Sequence, residues 1–380
     1  MPLGLNLHIY PSTLVNASRI CKVSSSIQSQ IPFSESHLVG ITAEDLPRRE
    51  EVAPGVAIVR VKGSRSRGTL GRILKVLLWQ PRVYLRYRRD SVDVVASHNV
   101  WVLPMCYWLS RATGAKLVYN AHELETEAIA MSGVKQRIAR TIEFRYIVRC
   151  QLVSVVNESI ADWYERQYDM PRPVVVGNVP VVRDEPADLR ARLGLGDDVM
   201  LYVHTGHLVH GRNIPLILDV FARHADKHVV FLGDGHLRGE VDAFARANHN
   251  IHLLPPVPPD MIVSNVREAD VALCLIEQVA LSHQLSSPNK LMEALAASIP
   301  ALCSDLVEAR RLLGPLAKGW ILQEPAAELD DAIMRIAKAD TLEFQEKWAG
   351  VRQWDDEVIP LVDAYMRVTQ AINVVAATEG

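Results

Sequence analysis

Short apolar segments alternate with segments of helical spacing along nearly the whole chain, and this alternation limits the fold more than any other feature. The apolar segments include Leu5–Tyr10, Val92–Ser97, Met200–His204 and Val271–Leu275. Strands that are apolar on both faces and separated by helices are typical of a parallel sheet with helices on both sides. We therefore predict an α/β protein built from doubly wound, Rossmann-like sheets, in which ligands bind beyond the carboxyl ends of the strands.

The pattern stops and restarts across a proline- and valine-rich segment, 171–186, which we interpret as a linker. A chain of 380 residues is long enough for two domains with full cores. We predict a first domain at 1–180, joined by a C-terminal helix at 355–380, and a second domain at 181–354. A cleft between the two domains is expected to hold the ligands.

Composition narrows the classes of function. A net charge of −3 gives no reason to expect a nucleic-acid partner. The sequence shows no apolar run of 18 residues and no pattern of a signal peptide at its start, so we expect no spanning segment and a cytoplasmic location. Five scattered cysteines without a CxxC pair are typical of a reduced compartment, and we predict no metal or redox role for them.

Segment 60–89 is the one strongly basic stretch, with ten Lys or Arg residues and no Asp or Glu. Apolar residues inside it follow helical spacing: Leu70, Ile73, Leu74, Leu77 and Leu78. A basic amphipathic helix suits an anionic membrane surface or a lipid-linked acceptor, which would make the protein peripheral at the inner face of the membrane. The same apolar stripe would also serve a helix that faces the core, and both interpretations stay open.

The segment LSSPNKLMEALAASIPALCS, 285–304, carries the strongest functional signal. Ser287 is predicted to cap a helix and Pro288 to be its first residue. Lys290 places a cation in the first turn, where free backbone N–H groups already favour a phosphate. Asn289 and Glu293 lie four residues apart and so share one face of the helix. A cation, an acceptor and a helix start together predict a site for a sugar nucleotide.

A strand-to-helix turn at Gly206 and Arg212 forms a second candidate for phosphate binding. Glycine lets the backbone approach a ligand closely, and arginine can hold phosphate oxygens in two hydrogen bonds. Gly233 lies in a similar turn after the next predicted strand and could line the same site or only turn the chain. A loop glycine and a surface arginine would give the same pattern, and Lys290 is what favours the functional interpretation.

Histidines follow two predicted strands of the first domain. His122, in the segment NAHE, is expected at a strand end facing the cleft, where it could hydrogen-bond a sugar hydroxyl or a phosphate. His98 follows the preceding strand in the same way. Either ring could instead only cap its loop, and the residues alone leave that alternative open.

Three further histidines, His204, His207 and His210, surround Gly206, but no carboxylate lies near them. We therefore predict no metal site. The chain also lacks the sequence patterns of P-loop NTPases, of zinc proteases and of Gly-x-Ser-x-Gly hydrolases, which excludes those classes.

Taken in order, these segments resemble family 4 glycosyltransferases of the GT-B fold. The resemblance spans nearly the whole chain and depends on the following stretches: NASR (16–19), SHNVWVLP (97–104), LVYNAHELETE (117–127), HTGHLVHGRNIPLIL (204–218), FLGDG (231–235) and SPNKLMEALAASIPALCSD (287–305).

The resemblance implies a retaining transfer of a sugar from a nucleotide diphosphate, with no metal and no other cofactor. Carried over to this chain, Arg212 and Lys290 would neutralise the leaving diphosphate, and His122 would lie beside the donor sugar and the acceptor. The residues that would bind the donor are Gly206, His207, Gly233, Val257, Ser287, Asn289 and Glu293, with Glu293 on the ribose. The residues on the acceptor side would be Asn16, Arg19, His98 and Glu123. UDP-sugars are the expected donors, and a saccharide or lipid-linked molecule is the expected acceptor.

Two departures from the family pattern stand out. Leu285 lies eight residues before Glu293, where the family often has a glutamate that contacts sugar hydroxyls, and Ser298 replaces a glycine. Two other functions therefore remain open: a sugar-nucleotide epimerase of the same fold, and a non-catalytic member that binds a sugar nucleotide.

Overall fold

A computed structural model describes residues 3–15, 17–63, 68–182, 185–351 and 353–378. The chain divides into two compact units, and each is described by itself. The first unit comprises Met1–Gly177 and Val358–Gly380, and the second comprises Asn178–Glu357. The divisions come at 177/178 and 357/358, a few residues from the expected domain boundaries at 180/181 and 354/355.

An eight-stranded sheet forms the centre of the first unit, in the order β3-β4-β2-β1-β5-β6-β7-β8. Its strands are β1 (Leu3–Ile9), β2 (Phe33–Ile41), β3 (Arg49–Ala53), β4 (Val56–Val61), β5 (Val92–Ser97), β6 (Lys116–Ala121), β7 (Leu152–Val155) and β8 (Val174–Val175). Helices between them are α1 (Ser18–Gln30), α2 (Gly68–Tyr87), α3 (Leu103–Thr113), α4 (Gly133–Ile147) and α5 (Glu158–Tyr168), with short 3-10 turns at Val100–Val102 and Glu125–Glu127.

A six-stranded parallel sheet forms the second unit, in the order β11-β10-β9-β12-β13-β14. Its strands are β9 (Met200–Thr205), β10 (Lys227–Leu232), β11 (Ile251–Leu254), β12 (Val271–Cys274), β13 (Ala301–Ser304) and β14 (Ile321–Leu322). Its helices are α6 (Leu189–Leu193), α7 (Ile214–Phe221), α8 (Arg238–Ala247), α9 (Ile262–Arg267), α10 (Leu281–Gln284), α11 (Asn289–Ala296), α12 (Val307–Leu313), α13 (Pro325–Arg335), α14 (Lys338–Lys347) and α15 (Trp354–Glu357), with a 3-10 turn at Gly314–Ala317. The last helix, α16 (Ile359–Thr378), packs in the first unit against β7 and β8.

Apolar strands are buried as the sequence pattern predicts. Every residue of β9 is buried, and in β5 only Asp93 is partly exposed. The prediction of two doubly wound, Rossmann-like parallel sheets is thereby confirmed. In each sheet the strand order reverses at one place, between β1 and β5 in the first unit and between β9 and β12 in the second. Such a reversal opens a crevice at the carboxyl ends of the two strands, and this is where an α/β sheet binds ligands.

One strand was not expected. β3 pairs antiparallel with β4 at the edge of the first sheet, so that sheet is mixed rather than wholly parallel. Three of its five residues, Arg49, Glu50 and Glu51, are charged, and all but the partly exposed Ala53 are exposed. A strand without an apolar face gives no periodic signal, because it lies on the edge and needs little burial.

α2 covers most of the basic segment and divides its apolar residues between two faces. Trp79, Val83 and Tyr87 are fully buried, and the Trp79 indole donates a hydrogen bond to the Gly40 carbonyl at 3.1 Å. Three leucines of the expected stripe, Leu74, Leu77 and Leu78, are exposed, with Leu77 at 59% exposure. The same helix therefore has a core-facing aromatic stripe and an exposed leucine stripe.

The exposed leucines of α2 are Leu74, Leu77, Leu78 and Leu85. Leu70 and Ile73, which belong to the expected stripe, have side chains outside the described part of the structure. None of the helices described is long and apolar enough to cross a membrane.

Candidate active site

Loops at the carboxyl ends of β9, β10 and β11, together with the start of α11, carry the candidate donor-binding residues. Gly206 follows β9, Gly233 follows β10, and Val257 lies partly exposed in the loop after β11. Lys290 is the second residue of α11, which follows β12 and the short α10. Because β9 and β12 flank the reversal of strand order, these residues collect at the crevice of the second unit.

Gly206 and Gly233 bring two of these loops together backbone against backbone. The Gly206 N–H donates to the Leu232 carbonyl at 2.9 Å, and Gly206 has a φ of +83°, which favours glycine. A Cβ on Gly233 would lie 1.9 Å from the Gly206 carbonyl oxygen, so position 233 has no room for a side chain. A Cβ on Gly206 would lie 3.5 Å from the Lys290 Nζ, which puts the ammonium directly beside this loop.

Lys290 and Arg212 are two cations without a salt bridge to any carboxylate among the residues described. Burial lowers the pKa of Lys290, and the nearby positive charge of Arg212 lowers it further, while Cys274 and the Glu293 carboxylate act in the opposite direction. Arg212 is partly buried in the loop between β9 and α7. A partly buried lysine near an arginine, at the start of a helix, is an unfavourable arrangement that an anion would relieve. The geometry therefore fits a phosphate-bearing ligand.

Glu293 and Asn289 already have hydrogen-bond partners within the second unit. The Thr205 hydroxyl donates to Glu293 Oε2 at 2.7 Å, and burial raises the pKa of this carboxyl. Asn289 Oδ1 accepts a hydrogen bond from the Asn178 side-chain amide at 2.8 Å. Glu293 thus lies one helical turn after Lys290 with one oxygen held by Thr205, which orients the carboxyl.

The prediction that Ser287 caps α11 and that Pro288 is its first residue is wrong. α11 begins at Asn289, and Pro288 takes the cap position in an extended conformation, with ψ of 137°. Proline has no side-chain acceptor, so the helix has no side-chain cap here. Ser287 is partly buried two residues before the helix, and His207 is exposed directly after Gly206.

The three histidines around Gly206 lie in different surroundings. His204 is buried in β9, with its ring 5.4 Å from that of Phe231, while His207 and His210 are exposed. Across the described residues no three His, Cys, Asp or Glu side chains come together in a way that could hold a metal ion.

His122, His98 and Arg19 come together at the corresponding edge of the first unit. His122 is the first residue after β6, and His98 the first after β5. Arg19 Nε donates to His122 Nδ1 at 3.1 Å, and His122 Nε2 lies 2.6 Å from His98 Nδ1. Arg19 also donates from Nη2 to the Val176 carbonyl at 2.6 Å. Burial, followed by the charge of Arg19, lowers the pKa of His122 to about 3, so its ring is neutral at neutral pH.

Two acidic residues of the same region differ in their surroundings. Glu123 is exposed, and its carboxylate has no hydrogen bond within the described part of the chain. Glu125 accepts hydrogen bonds at 2.6 Å from the Asn99 side chain and from the Val100 N–H. Burial raises the pKa of Glu125 to about 8. Such a shift is typical of functional carboxyls, although structural ones also show it, and sequence reasoning missed Glu125 because only its burial distinguishes it from its neighbours.

The structure thus forms two groups from the expected site residues. Gly206, Gly233, Lys290 and Glu293 lie together in the second unit, and Arg19, His98 and His122 lie together in the first. Asn16 lies outside the described residues.

One further histidine extends the group formed by Arg19, His98 and His122 in the first unit. His8, in β1, lies with its Nδ1 2.8 Å from His98 Nε2 and is completely buried. The sequence predicts a strand at Leu5–Tyr10 but gives no strand order, and only the assembled sheet places β1 next to β5.

A doubly wound sheet with a cationic helix start at its strand-order reversal is typical of α/β proteins that bind phosphate-bearing ligands. Two family models identify the class more closely. The model described as "Glycosyl transferase 4-like domain" matches residues 35–179, and the model described as "Glycosyl transferases group 1" matches residues 198–339. With one match in each unit, the chain belongs to the group 1 glycosyltransferases of the GT-B type.

Solved structures show the same fold at low sequence identity. A sucrose-phosphate synthase from Thermosynechococcus elongatus matches with a TM-score of 0.76 and 13% identity, covering 97% of this chain and 100% of that one. Anabaena Alr3699/HepE, in complex with UDP-glucose, matches with a TM-score of 0.64 and 13% identity over 98% of this chain and 100% of that one. WaaG, a glycosyltransferase of lipopolysaccharide biosynthesis, matches with a TM-score of 0.60 and 13% identity over 96% and 99%. No curated protein sequence matches the chain significantly.

Proposed function

We propose that this glycosyltransferase moves a hexose or N-acetylhexosamine from a UDP-sugar to a saccharide or lipid-linked acceptor in the synthesis of a surface polysaccharide or glycolipid. One observation carries the proposal: Lys290 and Arg212 lie without a salt bridge to a carboxylate among the described residues, beside the Gly206 loop and the start of α11. UDP as the carrier is supported by the UDP-glucose complex of the Anabaena protein.

Sugar transfer requires fixed positive charge beside the bond between the sugar and the diphosphate, which breaks in the reaction. When the bond between sugar and diphosphate opens, negative charge grows on the leaving phosphate, and preorganised cations and N–H groups stabilise it. Lys290, Arg212 and the N–H groups at the start of α11 supply both kinds of group, which supports a reaction that needs no metal. We propose retention of configuration, with the acceptor approaching on the face that the diphosphate leaves and passing its proton to that phosphate.

The remaining donor contacts follow from position. Glu293, oriented by Thr205, is proposed to accept hydrogen bonds from the ribose hydroxyls through its other oxygen. His207 and Asn289 lie at the edges of the same site, and the backbone near Val257 is proposed to contact the base. Leu285 supplies no hydrogen bond to the sugar, so we propose that Asn289 or backbone groups contact it instead.

The acceptor is proposed to bind the first unit, near Arg19 and His122. The exposed leucines of α2 support an acceptor held at a membrane. The described charged side chains of the second half of this helix, Arg82 and Arg86, are both exposed and basic. Apolar side chains flanked by arginines favour insertion into the headgroup region of an anionic bilayer.

Vesicle binding tests the membrane part of the proposal. The full chain should sediment with anionic vesicles and not with neutral ones, and the double substitution Leu77→Ser and Leu85→Ser should abolish this. Leu342→Ser, at a leucine of the second unit with 57% exposure, is the matched control and should leave binding unchanged. Equal partition to neutral and anionic vesicles would contradict the proposal.

Nucleotide-induced stabilisation tests the donor part. UDP, GDP, ADP and their sugar conjugates are added singly, without and with a divalent metal, and the midpoint of thermal unfolding is measured. One nucleotide diphosphate at 100 times its Kd should stabilise the chain by about 2.7 kcal/mol. Lys290→Ala should remove most of this stabilisation. No shift with any nucleotide would contradict a donor site here.

A non-catalytic role is the second candidate, because one observation favours it. Both ring nitrogens of His122 are engaged, one by Arg19 and one by His98, so neither faces a substrate in this structure. Transfer of labelled sugar to acceptor separates the two functions. A catalytic His122 predicts a large loss of kcat in His122→Ala with little change in donor affinity, whereas a binding protein shows no transfer at all.

A further inference from the structure

His8, His98 and His122 form an imidazole chain, in which each ring contacts the next through the same pair of atoms. His8 Nδ1 lies 2.8 Å from His98 Nε2, and His98 Nδ1 lies 2.6 Å from His122 Nε2. The rings of His98 and His122 are nearly parallel, 13° apart, with centroids separated by 4.8 Å. Arg19 contacts the outer end of the chain at His122 Nδ1, and Asn6 contacts the inner end at His8 Nε2, at 3.0 Å.

All three rings are neutral at neutral pH. Burial lowers the pKa of His8 to about 3 and that of His122 to about 3, and burial with the neighbouring rings lowers the pKa of His98 well below its usual value. A neutral imidazole carries hydrogen on one nitrogen and a lone pair on the other. Rings linked from Nδ1 to Nε2 must therefore all carry their hydrogen on the same kind of nitrogen, or two hydrogens meet in one contact.

The contact with Arg19 identifies which nitrogen that is. A guanidinium has only donors and stays charged, so its Nε–H requires a lone pair on His122 Nδ1. His122 then carries hydrogen on Nε2 and donates to His98, which for the same reason donates from Nε2 to His8. The Asn120 amide, 3.4 Å from His98 Nε2, is too distant to compete.

The inner end of the imidazole chain is consistent with hydrogen on His8 Nε2 once the Asn6 amide is turned. With its nitrogen toward His8, the amide adds a second donor at that end, and the oxygen, Oδ1, is buried without a partner among the described residues. The four contacts from Asn6 to Arg19 would then hold five hydrogens. With Oδ1 toward His8, the three rings and Arg19 supply one hydrogen for each contact. The turn replaces the Asn6 nitrogen's hydrogen bond to the Ser36 hydroxyl, at 3.2 Å, and that hydroxyl then donates to Oδ1 instead of to Gln28. The oxygen and nitrogen of an amide have the same shape, and the hydrogen-bond network assigns them.

We propose that His98 and His8 are positioning residues, which hold His122 with its hydrogen on Nε2 and so keep Nδ1 a hydrogen-bond acceptor when a substrate hydroxyl replaces the Arg19 N–H. The substrate contact in this inference rests on the proposed transferase function. The assigned tautomer does not depend on that function. Nδ1 is then the atom through which His122 orients a sugar hydroxyl.

Ring nitrogens report the tautomer directly. The full chain is labelled with ¹⁵N histidine, and long-range ¹H–¹⁵N correlations are recorded at neutral pH, with rings assigned by single His→Gln substitutions. We expect a hydrogen on Nε2 and a bare Nδ1 in all three rings. In Arg19→Leu we expect His122 Nδ1 to remain bare, because His8 and His98 still hold His122 in the same tautomer. A hydrogen on Nδ1 of any of the three rings, in either protein, would overturn the proposal.

Kinetics test the positioning role. His98→Phe keeps an aromatic ring but removes both nitrogens, and kcat should fall about fivefold to tenfold. The reason is that the correct tautomer of His122 becomes less populated by this factor when one ordinary hydrogen bond no longer holds it. The KM for the donor should not change. His98→Gln, whose amide oxygen can still accept from His122, should retain more of the rate than His98→Phe. His252→Phe is the matched control, because His252 also contacts a histidine, at 3.0 Å, but in the second unit.

Equal rates for His98→Phe, His98→Gln and the unsubstituted chain would overturn the positioning role. An absence of transfer by the unsubstituted chain would instead contradict the proposed function and the substrate contact, while the ring-nitrogen spectra would still decide the tautomer.

Discussion

Lowering the pH from 7 to 5 should destabilise the first unit through His8. This ring is completely buried, and burial lowers its pKa to about 3 from an ordinary value of 6.5. Below pH 6.5 the unfolded chain binds a proton at this residue and the folded chain does not. The stability contributed by the neutral ring is therefore present above 6.5 and is lost as the pH falls toward 3.

The size of the effect follows from the two pKa values. A pH of 5 is about 1.5 units below the pKa of the His8 ring in the unfolded chain. Each unit corresponds to about 1.36 kcal/mol, so His8 alone should lower the unfolding free energy of the first unit by roughly 2 kcal/mol. His8→Leu removes the titrating group. It should lower stability at pH 7, because His98 loses its acceptor, but its further loss between pH 7 and pH 5 should be about 2 kcal/mol smaller than that of the unsubstituted chain.

Hydrogen exchange measures this in the first unit alone. Opening free energies are taken from the amides of β1 and β5 at both pH values, after correction for the intrinsic exchange rate. His236→Leu, at an exposed histidine of the second unit, is the control and should leave the pH dependence of β1 unchanged. An identical pH dependence in His8→Leu and the unsubstituted chain would refute the reasoning, because the buried ring would then have no effect on proton uptake.

Three further substitutions test other parts of the account. Gly233→Ala should weaken donor binding and destabilise the second unit by about 1–3 kcal/mol, because its Cβ would lie 1.9 Å from the Gly206 carbonyl oxygen. Thermal unfolding measures the loss of stability, and Gly239→Ala, whose Cβ would have nothing within 4 Å, is the control. Glu143→Leu should lower the unfolding free energy of the first unit by about 3 kcal/mol in urea, because three buried tyrosine hydroxyls donate to this carboxyl. Glu293→Gln should raise the KM for the donor roughly tenfold with little change in kcat, if the carboxyl binds ribose equally in the ground and transition states; an unchanged KM would remove Glu293 from the site.

The doubly wound fold could be predicted because buried parallel strands are apolar throughout and helices alternate with them. β9 and β5 match this pattern closely. β3 could not be predicted, because an edge strand of mostly charged residues has no apolar face. The start of α11 was wrong by a residue or two, since Pro288 fits equally well just before a helix and just inside it.

Site residues could be predicted where one residue type carries the chemistry. Lys290, Arg212 and Gly206 have signals of their own, and the structure places Lys290 beside Gly206. Their catalytic and donor-binding roles stay predictions. His8 and Glu125 could not be found in this way, because their interest comes from burial and from partners far away in the sequence. Only the assembled sheet shows that His8 contacts His98 or that burial raises the pKa of Glu125.

The most direct test of the central claim is the affinity of the full chain for UDP and UDP-sugars, measured by calorimetry without added metal. The account predicts saturable binding at one site and a loss of about 1.5–3 kcal/mol in Lys290→Ala, which removes a charged hydrogen bond to the diphosphate. Lys318→Ala, at an exposed lysine of the same unit, should bind as the unsubstituted chain does. Equal affinity of Lys290→Ala and Lys318→Ala, or no binding of any nucleotide diphosphate, would contradict the claim that Lys290 and Arg212 hold the diphosphate of the donor.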